Sequence, residues 1–245
     1  MGFGDFIGGL FEGVGNVLHS AVDALTGVVK DIGNAIEGLC QKIGGEGIML
    51  IGLIATSILI PGIGIPELLT VIQVVAEAAK LLGANKGEDS PEELGMKAEI
   101  ADKKPEDFDS ISEYIDYLNE QVSLEEGASE NLSPEEKAKY GSMGAALNIK
   151  AIEEKYNVGM SQEFLSDVSK MKMTSEEVSQ YIKEFSENGI DNMQDMSDYL
   201  KDKNTSADRN KVADSMIKAM SELYPECSSE ELEQKLVDMG AQLTE

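Results

Sequence analysis

Between Gly47 and Pro66 there is no charged side chain, in a chain of 245 residues whose formal net charge is −26. A stretch this apolar must be covered by protein or by lipid, and that requirement constrains the fold more than any other feature of the chain. The run from Ile48 to Ile60 is broken by Pro61-Gly-Ile-Gly-Ile-Pro66, and a second apolar stretch continues from Glu67 to Leu82. The two prolines fix φ and remove backbone donors, and Gly62 and Gly64 permit a reversal, so the pattern predicts a helical hairpin with a tight, greasy turn. At the helical rise the arms measure about 20 Å and about 24 Å, against about 30 Å of bilayer hydrocarbon, so neither arm spans a membrane comfortably.

Charge divides the chain at the same place. Residues 1–86 hold 8 acids and 4 Lys, net −4, and residues 87–245 hold 38 acids and 16 Lys plus Arg, net −22. The expected organisation is an apolar membrane-active or oligomerisation region over 1–86 and an acidic helical domain over 87–245. The acidic part repels phosphates, because nucleic-acid binding exchanges counterions for Lys and Arg, so no nucleic acid is expected as a partner. Cys40 and Cys227 have neither a CxxC neighbour nor an even framework, which argues against disulfide stapling and a zinc site. The N-terminus has no basic region of the secretory kind, so no classical signal peptide is expected.

From Phe3 to Leu39 apolar residues recur with helical period and predict a long amphipathic helix, dense in glycine. Its polar face is thin in charge and lacks the Lys/Arg stripe that draws helices to anionic lipid. Gly4 and Gly8 have the small-xxx-small spacing that lets helices approach closely. In their content of Gly, Phe, Ile and Leu about fifteen residues of this stretch resemble viral fusion peptides, which implies lipid contact. The residues expected to touch lipid are Phe3, Phe6, Ile7, Leu10 and Phe11 on this helix, then Ile48, Leu50, Ile51, Leu53, Ile54, Ile58, Leu59 and Ile60 on the first arm, with Ile63 and Ile65 in the turn. Pro61, Gly62, Gly64 and Pro66 make the turn itself. Lys42, Lys80 and Lys86 would meet at the open end of the hairpin, opposed by Glu46, Glu67 and Glu77, while Gln73 and Glu77 give the second arm a polar edge. The same residues suit a hairpin buried inside a helical bundle, as in colicin-type pore-forming domains, and inserted later.

The acidic part repeats itself. Residues 108–120 align with 190–202, sharing the Asp-Tyr-Leu at 116–118 and 198–200, and residues 149–156 align with 217–224 in the same order. Each copy opens alike, with Ser90-Pro-Glu-Glu-Leu94 and Thr174-Ser-Glu-Glu-Val178, where a Ser or Thr cap is answered by Glu three residues on. Two copies, about 90–172 and 174–240, each of four short helices, are expected: 91–102, 110–121, 134–156 and 161–170, then 175–188, 192–203, 206–224 and 229–239. Residues 85–90 read as a polar linker. Ten of the twelve Met residues fall after Gly87, where they suit either a core or an adaptable groove.

No motif carries catalysis. His19 has no neighbouring Cys or second His, Gly-Ser-Met-Gly at 141–144 lacks the spacing of a nucleophile elbow, and the acids lack the glycine and terminal Glu of a calcium loop. The expectation is therefore an all-α, non-enzymatic protein with no cofactor and no metal. Its N-terminal hairpin enters a bilayer as an oligomer, a pore or penetration device, and the acidic domain docks or regulates, so the protein is membrane-associated or delivered to a membrane. The alternative is a structural component of a phage or injection-type particle, whose apolar region packs against sister subunits.

Overall fold

The computed structural model describes residues 65–243. It is all-α, with nine α-helices and no strand among the described residues. The helices are α1 (Ile65–Leu81), α2 (Pro91–Ile100), α3 (Ile111–Gln121), α4 (Pro134–Tyr156), α5 (Gln162–Lys170), α6 (Ser175–Glu187), α7 (Gln194–Leu200), α8 (Arg209–Leu223) and α9 (Ser229–Gln242), with a 3₁₀ turn at Pro105–Asp107. A single parallel bridge joins Gly159 and Asn192.

Local chemistry sets most of these boundaries. Ser90, Ser133, Thr174 and Ser228 each close a reciprocal capping box with Glu93, Glu136, Glu177 and Glu231, occupying orphan N–H groups of α2, α4, α6 and α9. At the other ends, Gly83, Lys172, Gly189 and Asp202 all take positive φ between +52° and +64°. In each case the next N–H reaches back five residues, as Met173 N–H does to Val168 O at 3.1 Å, the bond that terminates a helix in a Schellman motif. The helix expected from 206 begins at Arg209 instead, because Asp208 accepts from the N–H groups of Asn210 and Lys211. Ser206 and Ala207 are held separately by the buried carboxylate of Asp195.

The long helix α4 is the hub, and every residue from 141 to 149 is buried. Helices α1, α2 and α3 pack on it; α6 packs on α1 and α8; α5 and α9 both lie against α7. Both sequence copies pair their first helix with their third and their second with their third, α2 with α4 and α3 with α4, then α6 with α8 and α7 with α8. The α2–α4 contact needs glycine. A Cβ on Gly144 would lie 2.0 Å from Pro91 O and one on Gly95 2.1 Å from Tyr140 O, so the Gly-Ser-Met-Gly segment is where one backbone presses on another. Eight of the methionines, Met143, Met160, Met171, Met173, Met193, Met196, Met216 and Met220, are buried, which settles them as core side chains.

The expected division at residue 86 does not follow the packing. Helix α1 buries Leu68, Val71, Ile72, Val75, Ala78 and Ala79 in the same core as the later helices. It lies between the two copies, against α4 of the first and α6 of the second. Residues 85–90, read as a linker, begin inside the fold. Asn85 is 3 % exposed and donates from Nδ2 to Asn148 Oδ1 at 3.0 Å, while the 1 %-exposed Asn148 donates to Gly144 O. Three further side chains grip the carbonyls between α1 and Asn85: Tyr156 Oη donates to Leu82 O, Lys155 Nζ to Gly83 O and Ser112 Oγ to Ala84 O. Net charge follows the solvent-facing side chains, whereas domain membership follows the buried face, and α1 has a strong one.

Candidate functional site

Of the residues expected to contact lipid or form the turn, Ile65 and Pro66 open α1; the others, from 3 to 64 and including Pro61, Gly62 and Gly64, lie outside the described residues. Ile65 is half-buried and packs on the common core, so it is a core-edge residue as the first residue of a helix, while Pro66 in the same first turn is exposed. The N-terminal end of α1 is where the preceding apolar sequence joins the described helices.

Two faces of α1 meet there. The apolar face is spent on the bundle. The outward face shows Glu67, Thr70, Gln73 and Glu77, all exposed, with Thr70 Oγ1 bonded to Pro66 O at 3.0 Å and Glu77 3.8 Å from Lys80. Between this end of α1 and the end of α5 lies an open groove of about 250 Å³. Val71 and Val74 form one side; Val168 and Met173 form the other. The left-handed turn at Lys172 brings Met173 into that wall. Glu67 and Thr70 stand on one rim, Ser169 and Lys172 on the other, so the groove is apolar below and of balanced charge above.

Around this end the helices of both copies are tied together by buried acids that no short motif announces. Asp167 on α5, fully buried, accepts from Lys201 Nζ at 2.6 Å, and Lys201 also reaches Glu163 at 2.9 Å. That hydrogen bond holds the Glu163 carboxyl below the usual glutamate range. Glu184 on α6, 2 % exposed, is 2.7 Å from Lys218 on α8. In the first copy Lys97, 8 % exposed, pairs with Asp89 at 2.6 Å and donates to Asn119 O. Burial pushes Glu153 on α4 above its ordinary value, against the opposing pull of the Met160 N–H and Lys150. The Asp167–Lys201 and Glu184–Lys218 pairs each join residues 34 positions apart, so spacing could not have found them.

Among the described residues no group of three or more His, Cys, Asp or Glu is placed to hold a metal ion. No helix among them is long and apolar enough to cross a membrane. What the region offers chemically is a narrow aliphatic slot and a polar helix face beside it. Compared with known proteins, the chain matches no family model, no curated protein and no solved structure.

Proposed function

We propose that this is a non-enzymatic, membrane-interacting protein in which residues 1–64 carry the lipid contact, acting as an oligomer, and residues 65–243 form an acidic helical base for docking. One observation carries the reading. Helix α1 gives its apolar face to the bundle and turns Glu67, Thr70, Gln73 and Glu77 outward. The apolar face of α1 is therefore already covered by the later helices, and an uncharged run such as Ile48 to Ile60 carries a large hydrophobic penalty wherever it is left in water. A bilayer supplies the missing surface. The reading differs from insertion of both arms: α1, about 25 Å long, remains the rigid stem on which the apolar part is mounted.

Co-flotation with phosphatidylcholine/phosphatidylglycerol vesicles tests it, comparing the full chain with residues 65–245 at pH 7 and pH 5. The full chain floats and the shorter chain stays at the bottom of the gradient; a full chain that stays down at both pH values overturns the proposal. The enclosure of α1 by protein favours a second reading, a structural particle component in which the apolar part packs on sister subunits. Under that reading the full chain forms a discrete oligomer by light scattering without lipid or detergent, and vesicles do not dissociate it.

A further inference from the structure

The repeated Asp-Tyr-Leu puts Tyr117 and Tyr199 at matching positions of the two copies, and in both a cation lies over the ring. The two cations are held differently. Arg209 stacks on Tyr199 at 4.6 Å and is fixed there, donating to Tyr199 O and Lys203 O and pairing with Asp202 at 2.8 Å. Lys103 is exposed, and among the described residues its ammonium has no hydrogen bond or ion pair, only the rings of Phe108 at 5.6 Å and Tyr117 at 5.4 Å. We infer that Phe108 and Tyr117 form a binding platform for a quaternary ammonium group of the choline kind, with Lys103 as its displaceable occupant. The assignment does not depend on the membrane reading.

Three observations support that ligand. The first is a fixed aromatic surface. Phe108 and Tyr117, both half-buried, have ring centroids 5.2 Å apart, and the wholly buried Tyr114 stands against them at 5.5 Å and 6.2 Å. The 3₁₀ turn at Pro105–Asp107 returns the chain so that Lys103 overlies the pair; it is closed by the Asp107 N–H on Lys104 O and the Lys104 N–H on the Asp107 carboxylate. The second is a loose resident. Both Lys103 distances lie near the outer reach, about 6 Å, at which a ring face attracts a cation. A primary ammonium is strongly hydrated and gives up water to come closer, whereas a trimethylammonium has no donor to satisfy and fills the gap with its methyl groups. The third is charge. From Asp102 to Tyr117 the chain carries six acids against two lysines, an excess that draws cations to this surface.

Saturation-transfer difference NMR on the full chain, with choline chloride as the probe, tests the site through the N-methyl proton signal. Choline receives saturation, and ethanolamine, which has the same charge without the methyl groups, displaces it poorly. Phe108→Leu and Tyr117→Leu each lower the affinity about fivefold, and Tyr199→Leu leaves it unchanged. Lys103→Ala raises it about threefold by emptying the platform, more than Lys104→Ala, which removes the same charge beside it. No saturation transfer, equal displacement by ethanolamine, binding indifferent to both ring variants, or a Lys103→Ala effect no larger than that of Lys104→Ala overturns the assignment. Should the ring variants lose their helical circular dichroism, the comparison of the two lysines, both exposed, still decides. Phosphatidylcholine vesicles separate the sources of the group: they suppress the choline signal, where phosphatidylglycerol vesicles do not, if the lipid headgroup is the ligand, and leave it intact if free choline is. Choline binding without vesicle flotation removes the membrane proposal and leaves the site, and flotation without choline binding does the reverse.

Discussion

Gly144, buried, and Glu153, half-buried, show how differently two positions of one helix respond to substitution. Gly144→Ala places a methyl group against the Pro91 carbonyl, which is backbone and cannot swing away, so the variant loses about 3 kcal/mol or more in denaturant unfolding. Gly159→Ala, whose Cβ would meet nothing closer than Asp191 O at 3.6 Å, serves as the near-neutral control. Glu153 is the opposite case. Burial favours its neutral form, so the folded protein is penalised as pH rises from the ordinary glutamate value through the raised folded value, and the penalty is complete above it. Glu153→Gln cannot ionise and keeps an acceptor for the Met160 N–H. The variant is therefore more stable than the parent at pH 7, and the advantage fades towards about pH 4, as thermal melts across that range will show.

At the scale of elements, helix ends and helix contacts obey different information. The capping boxes at Ser90 and Thr174 are legible from a Ser or Thr followed by Glu, and the observed helices start where those residues place them. The α5–α7 contact depends instead on Lys201 meeting Asp167 across 34 positions of sequence. Lys201→Met leaves the fully buried Asp167 without its main partner and costs about 3–5 kcal/mol in unfolding free energy, whereas Lys203→Met at the exposed rim of the same cluster costs little. Helix α1 is the sharper case. Its period and apolarity are plain in the sequence, yet the same features describe a lipid-facing arm and a core helix. Ile72, wholly buried beside Gly141, discriminates: Ile72→Ala lowers the stability of the helical domain by about 2–5 kcal/mol, an effect that a lipid-facing residue would not produce.

For the molecule as a whole, α1 is the piece common to both copies, since α4 and α6 each pack on it more than on one another. A chain begun at Gly87, the charge boundary, lacks that shared helix and with it the buried Leu68, Ile72 and Val75. Residues 87–245 are expected to lose the cooperative thermal transition that residues 65–245 retain, with circular dichroism as the measurement. A sharp melt of the shorter chain, matching the longer one, would show that α1 is dispensable to the fold.

Helix content, helix boundaries and the repeated order of the acidic part follow from local chemistry: caps, glycines, prolines and a 3.6-residue period act over a few positions and are written in them. The membership of α1, the buried Asn85–Asn148 bond and the Asp167–Lys201 and Glu184–Lys218 pairs depend on which faces meet, and an apolar face specifies that it will be covered without specifying by what. The hydrophobic effect has no direction, so only the packed molecule shows that α1 is covered by its own later helices.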